Sequence, residues 1–471
     1  MIDTLPFDVT SEIFLLCLPA DTLPRAAIYD APVSLGRVCR AWRNIALNTP
    51  KLWSGLIIGG NSSIHFPSTD AKAVEAFMAR SESCKLSFDV FYPTHLTKTE
   101  SLEPLASILV PLHSMMKESR RWKSIKLTLP IETLRHVVSV IPYQTPNLEM
   151  MVISDSDYRY TTPLYFHLFS GFDTSLSHLS LCTNAKFIPG PAPLSSLRTA
   201  YLEEVYSAEL LTMLQFCPAI EKFTASFIKR DMGEVTKNYK PIQLVELHRL
   251  KLSNTKAFND TQELDIDPRS ILSHIVAPNL LTLILDLDVP SDDNDMAIQS
   301  DDLWNMLDKF KPTLEWVEIH PGNINIDDWR KCLPLLSHLK YLGCSVEVLT
   351  DQVVYALCRP PQSSTKSYFC PELETIQVFD WGEYDSKMAL HFWDIIRSRW
   401  DNRDHCNGGR DAATLHRVVV NLWVMDDDMK MSDMQVYMDK GFKLIDQDRW
   451  GGMHRDRFDM DVYRWERGII T

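Results

Sequence analysis

Pro278-Asn279-Leu280-Leu281-Thr282-Leu283-Ile284-Leu285 carries the pattern on which the architecture rests. Leu280, Leu283 and Leu285 form the phrase L-x-x-L-x-L, whose last two apolar residues alternate as an extended strand does. Pro278 closes any preceding helix and releases the chain into that strand. The phrase recurs as Trp122-Ile125-Leu127, Leu148-Met151-Ile153, Leu176-Leu179-Leu181, Ile220-Phe223-Ala225 and Leu247-Leu250-Leu252. Leu314-Val317-Ile319, Leu373-Ile376-Val378 and Leu415-Val418-Val420 extend the series, and weaker copies start at Leu194 and Leu336. Pro146, Pro218 and Pro371 introduce three of the copies as Pro278 introduces its own. Helix-like stretches at 132–141, 207–216, 269–276, 301–310 and 351–358 lie between them. Strand and helix alternating at a period of roughly 20 to 40 residues predict a solenoid with a parallel sheet on its inner side. An ordinary doubly wound domain usually brings a Gly-rich phosphate turn, and neither G-x-G-x-x-G nor G-x-x-x-x-G-K-[ST] occurs.

The copy at Leu176 runs on to Asn184, so that the series resembles the leucine-rich-repeat form L-x-x-L-x-L-x-x-N with irregular spacing. The expected fold class is mixed α/β. Residues 85–471 are expected to form an irregular leucine-rich-repeat solenoid with a curved parallel sheet, behind a small helical module at residues 1–60.

That module differs from everything downstream. Val9, Ile13, Leu16 and Cys17 fall at helical spacing, with Asp8 placed to cap the helix. After a connector to Pro32, a second helix is predicted, its stripe made of Leu35, Val38, Cys39, Trp42, Ile45 and Ala46, and Pro50 stops it. Some 50 residues bury too little surface to be comfortable alone, yet Leu5, Pro6, Phe14, Leu52 and Trp53 add large apolar groups outside both stripes. Such a surplus fits a surface completed by another chain, with Trp42 and Trp53 as anchors. It equally fits a cap on the repeat array.

The run Leu5-Pro6-Phe7-Asp8-Val9, Glu12-Ile13-Phe14, Ser34-Leu35, Arg37-Val38-Cys39-Arg40-Ala41-Trp42 and Thr49-Pro50-Lys51-Leu52-Trp53 resembles an F-box of the form common in fungal proteins. The resemblance covers roughly a ninth of the chain, and the connector is longer than in the shortest F-boxes. It implies docking onto a Skp adaptor and, through it, a cullin, within a Skp–cullin–F-box ubiquitin ligase. It also implies that Leu5, Pro6, Ile13, Phe14, Val38, Cys39, Trp42, Leu52 and Trp53 touch or support the adaptor. A repeat domain resembles the usual companion of an F-box. The alternative is a repeat scaffold or binding module whose N-terminal helices are only a cap.

Bulk properties agree with a protein-facing molecule. The net charge of −14 disfavours a nucleic-acid or anionic-membrane ligand. The first apolar run, Ile13 to Leu18, follows Asp3, Asp8 and Glu12 and lacks the basic flank of a signal peptide. No stretch reaches the roughly 18 to 20 apolar residues of a membrane span. The ten cysteines form no C-x-x-C pair and read as buried free thiols, hence a cytoplasmic or nuclear location.

No catalytic, cofactor or metal site is expected. His454-Arg455-Asp456 imitates a kinase triplet without the other kinase elements. Asp292 to Asp295 and Asp426 to Asp428 lack EF-hand spacing. If the leucines of each phrase face inward, Lys126, Ser154, Asp286, His320, Phe379, Trp381, Asn421 and Trp423 face outward along the sheet. Phe379, Trp381 and Trp423, with Asp286 and His320, are the candidate contacts for an unknown protein target. The competing expectation is that C-terminal segments cover these aromatics and make them core.

Overall fold

The computed structural model describes residues 5–60, 67–92, 103–139, 145–156, 163–166, 175–188, 193–203, 205–226, 240–253, 271–286, 305, 307–310, 312–319, 329, 331–345, 348–358, 369–379, 394–400, 415–420 and 431–446. The chain divides into two compact units, Met1–Val205 and Tyr206–Phe458.

In the first unit α1 (Phe7–Leu16), α2 (Leu35–Val38) and α3 (Arg40–Leu47) precede the first strand. A parallel sheet follows in chain order: β1 (Gly55–Gly59), β2 (Leu86–Phe91), β3 (Trp122–Leu129), β4 (Met150–Asp155), β6 (His178–Cys182) and β8 (Thr199–Glu203). Parallel neighbours need long crossovers. Here α4 (Pro67–Arg80), α5 (Glu103–Lys117) and α6 (Ile131–Val138) lie in the first three. α6 packs on β3 and β4 through Leu134, Val137 and Val138, a helical stripe that is wholly buried. β5 (Leu164–Phe166) and β7 (Ala185–Phe187) form a separate parallel pair.

The second unit repeats the plan. β9 (Lys222–Ser226), β11 (Arg249–Ser253), β13 (Thr282–Asp286), β14 (Trp316–Ile319), β15 (Tyr341–Ser345), β16 (Thr375–Phe379), β17 (Arg417–Val420) and β18 (Lys443–Asp446) pair in parallel in that order. α7 (Ser207–Phe216), α8 (Asp351–Leu357) and α9 (Met431–Asp439) complete its named helices. Each unit is therefore mixed α/β with an open parallel sheet.

All nine leucine phrases lie at strands, and they lie in register. Leu250, Leu283, Val317, Leu342, Ile376 and Val418 are successive partners across β11 to β17, each without measurable exposure. Ile125, Met151, Leu179 and Ala200 do the same in the first unit. At about 1.5–3 kcal/mol for each fully buried large side chain, this row is the main reason the strands stack as they do.

Entry into β4, β13 and β16 is a tight turn. The amide of Leu148 donates to Thr145 O (3.2 Å), that of Leu280 to Ala277 O (3.2 Å) and that of Leu373 to Cys370 O (3.1 Å). Pro146, Pro278 and Pro371 thus occupy the second turn position, where their fixed φ is favourable. Asn147 Nδ2 donates to Arg120 O 27 residues back, and Asn279 Nδ2 to Val245 O 34 residues back. Each Asn ties its turn to the preceding repeat.

Two expectations need correction. The helix anticipated at 269–276 is helical at Ile271 and Leu272 but stops there, and β12 (Ile275–Val276) follows, parallel to β10 (Ile242–Gln243). The β-branched pair is drawn into that bridge by Ile242 N–H to His274 O (2.7 Å) and Leu244 N–H to Val276 O (2.9 Å). The non-leucine face of the sheet is also less open than its alternation suggests. Met150, Val152 and Ser180 on β4 and β6, and Tyr341, Gln377 and Val419 on β15 to β17, are all buried there. Parallel sheets are commonly covered on both faces.

Candidate docking surface

The N-terminal helices are arranged around two rings. Phe14 on α1 is buried (1% exposed) and lies 4.9 Å from the half-buried Trp42 ring on α3. Thr10 and Ser11 share that inner side because their hydroxyls donate to backbone carbonyls of their own helix, Thr10 to Pro6 O (3.2 Å) and Ser11 to Asp8 O (2.8 Å). With no unmet polar group, they pack as small residues. The consequence reverses the stripe expected from spacing. Val9, Ile13 and Leu16 face solvent, Leu16 at 85% exposure, and Cys17 is exposed with them. Asp8 sits in the first turn, where it favours the helix dipole, while Pro6 holds the cap position.

The second predicted helix is two. Cys39 is extended (φ −155°, ψ 175°) and separates α2 from α3. Its Sγ accepts from Trp42 N–H at 3.4 Å, taking the role that Ser or Asp usually has at a helix start. The break turns Val38 outward, to 61% exposure, while Leu35 and Ala46 stay inside.

The nine residues of the F-box resemblance therefore sort into two groups. Leu5, Pro6, Ile13, Val38 and Cys39 are exposed, and Trp42 is half-buried. Phe14, Leu52 and Trp53 are interior and can act only as supports. Phe7, Val9, Leu16, Ile28, Tyr29 and Leu47 are exposed apolar residues of the same module. Of these, Ile28 and Tyr29 lie in the connector, where no periodicity singles them out.

The opposite side of the module joins the sheet. Trp53 Nε1 donates to Ala46 O (2.8 Å), its ring meets Phe77 of α4 edge-on at 5.0 Å, and the Arg80 guanidinium lies 4.3 Å from its ring centre. The connector reaches β1 as well: Ile57 N–H donates to Pro24 O (2.8 Å), and Arg25 bridges Ile57 in parallel. The module is two-sided, fixed to the sheet edge on one side and apolar towards solvent on the other.

The proposed target contacts fare differently. Phe379 lies on the non-leucine face, but at 3% exposure it is core and unavailable to a partner. Its ring fills the space left by Gly343, where a Cβ would come within 2.9 Å of Phe379 Cζ and 3.0 Å of Glu318 Cγ. Asp286 ends β13 opposite Ser253, and its side chain lies outside the described residues. His320, Asn421, Trp381 and Trp423 lie outside them entirely, as do 292–295, 426–428 and 454–456. Ser154 and Lys126 are half-buried on the same face of the first unit.

Lys126 Nζ is 4.0 Å from Asp89 Oδ2. Burial raises the Asp89 carboxyl above its ordinary range, against the pull of Lys126 and Arg25. A carboxyl raised in the folded state adds stability that is complete below the ordinary carboxylate value and fades as pH rises through the raised one. Asp89→Asn is therefore expected to be neutral or mildly stabilising at pH 7, with the difference from wild type vanishing below about pH 4. Denaturant titrations across that range check the sign.

Among the described residues, no three His, Cys, Asp or Glu side chains gather as metal ligands, and no helix is long and apolar enough to cross a membrane. The thiols are mixed, with Cys17 and Cys39 exposed and Cys217, Cys332, Cys344 and Cys370 buried. Burial pushes the Cys217, Cys344 and Cys370 thiols up to about 12, far from a reactive thiolate. No family model matches the chain, and no curated protein matches it either.

Proposed function

We propose that this chain is the substrate-recognition subunit of a Skp–cullin–F-box ubiquitin ligase. In this reading α1 to α3 form an F-box that holds a Skp adaptor. The strand-and-turn array is an irregular leucine-rich-repeat domain that holds a target protein. The observation that carries the proposal is the two-sided module. Its inner residues, Phe14, Leu52 and Trp53, are buried, with Trp53 packed on α4, while Leu5, Ile13, Leu16 and Val38 present apolar area to solvent. An apolar patch that a folded domain keeps exposed is the usual mark of a docking site. The chain would contribute proximity and orientation to ubiquitin transfer and no catalytic group.

The pairing of Pro24 and Arg25 with Ile57 favours a second reading, in which the helices only cap β1 of a repeat scaffold. Capping accounts for the inner residues and leaves the outer ones without a role. Co-expression with a Skp adaptor separates the two. The first reading expects a stoichiometric complex on size exclusion, and the second expects two independent peaks.

A further inference from the structure

The crossovers on either side of β3 bring two histidines together. His113 is exposed on α5, which precedes β3, and His136 is exposed on α6, which follows it and packs on α5. Their Nε2 atoms are 3.0 Å apart, and the rings meet edge-on with centres 5.2 Å apart and planes at 79°. The two residues are 23 apart in the chain, so no ligand spacing in the sequence announces them. Two imidazole nitrogens approach this closely only with something between them, a proton or a metal ion. One proton serves when one ring is the Nε2–H tautomer and donates to the other. An ion of the class imidazole prefers serves when both Nε2 atoms are bare.

The geometry already suits the ion. Zinc holds an imidazole nitrogen at about 2.05 Å, so two rings on a tetrahedral zinc have centres about 5.2 Å and nitrogens about 3.3 Å apart. The ring centres of His113 and His136 stand at that spacing. Only the nitrogens must move, by a swing of each ring that displaces Nε2 by less than about 1 Å, within the soft torsions of His. The ring that donates in the hydrogen bond passes its proton from Nε2 to its own Nδ1, and no proton is released overall. Charge does not carry the site. Glu132, one turn before His136, is held by Arg135 at 2.9 and 3.1 Å, and Lys117, one turn beyond His113, is an exposed cation. A hard cation such as magnesium needs oxygen ligands and gains little here, whereas nitrogen ligation suits zinc.

We infer that His113 and His136 form a two-histidine site for a borderline divalent metal ion, zinc by its geometry, which clasps α5 to α6. The site uses none of the docking residues and stands apart from the ligase reading. Among the described residues no three candidate ligands gather, so water fills the remaining positions. Two protein ligands are fewer than the three or four of catalytic and structural zinc centres, so the affinity belongs near about 10 µM.

The test titrates the full chain, first stripped with a chelator, with zinc chloride by calorimetry and records melting curves beside it. Wild type should take up one ion more than His113→Gln or His136→Gln. About 0.1 mM zinc should raise the wild-type midpoint by about 3–5 °C, and magnesium at the same level should leave it unchanged. Each histidine variant should lose that shift, read against its own midpoint in chelator, and the double variant should lose no more than either single one, because two groups share one ion. Cys17→Ser/Cys39→Ser should keep the shift, which separates the site from zinc taken up by the exposed thiols. Uptake equal in wild type and histidine variants, or none by wild type at about 0.1 mM zinc, would overturn the site. Uptake that comes only with dimerisation on size exclusion would overturn the clasp as well, since the ion would then join two copies of the chain.

Discussion

Trp53→Ala is expected to destabilise the first unit by about 3–5 kcal/mol, the range for removing a large buried aromatic ring. Trp53 is interior and makes three contacts, one to α3 and two to α4: the carbonyl of Ala46, the edge contact with Phe77 and the Arg80 guanidinium over its face. Alanine would leave a cavity between the N-terminal module and α4 and remove the shorter of two hydrogen bonds to Ala46 O, which the Thr49 amide also reaches at 3.4 Å. Trp53→Phe keeps most of the ring and loses the N–H, so about 1–2 kcal/mol of the effect should remain. Chemical denaturation would show a lower midpoint at unchanged slope. A Trp53→Ala protein as stable as wild type would mean that the module does not share the core of the sheet. The same contacts make deletion of residues 1–56 a poor probe of docking, since it removes a core ring and the segment that pairs with Ile57.

Arg399→Met should be comparably damaging to the second unit. Arg399 is 2% exposed, and its guanidinium donates from Nε to Leu357 O (2.7 Å), from Nη1 to Cys370 O (3.0 Å) and from Nη2 to Phe369 O (2.7 Å). It therefore clasps the end of α8 to the turn that introduces β16. Methionine restores the volume and none of the donors. Cys370 O keeps the Leu373 amide, so at about 1–3 kcal/mol each for Leu357 O and Phe369 O the loss is about 2–5 kcal/mol. Arg399→Lys should recover only part of it, because one ammonium cannot serve three carbonyls set around a planar fork. Hydrogen exchange should show the loss of protection first at the amides of Glu374 and Thr375, which bond to Lys340 O. Unchanged protection there would contradict the clasp.

How much of the fold and of the docking surface is legible in the amino-acid sequence depends on the kind of signal. The leucine phrases announce strands because their spacing and their Pro-x-Leu entries are local properties, and Leu247, Leu280 and Leu373 stand where they predict. The burial of the second face is harder to see, because alternation separates two faces only when one is wet. Met150-Met151-Val152-Ile153 does carry the warning: a continuous apolar run is what a strand covered on both sides looks like. Periodicity likewise finds one face of α1 but cannot say which side the chain itself covers. Val9, Ile13 and Leu16 are spaced like a packing stripe and are the exposed one, because Phe14 alone outweighs them and Thr10 and Ser11 can satisfy themselves on the inner side. The break at Cys39 leaves no trace in a stripe that simply continues across it.

The most direct measurement is the affinity of a purified Skp adaptor for the full chain and for Ile13→Glu/Val38→Glu, with melting curves recorded beside it. Both positions are exposed, so the fold should be spared. Burying two unmatched carboxylates in a docked interface should weaken binding by at least about a hundredfold, with the melting temperature shifted by no more than about 2 °C. An adaptor that ignores the wild-type chain, or that binds wild type and variant alike, would contradict the account.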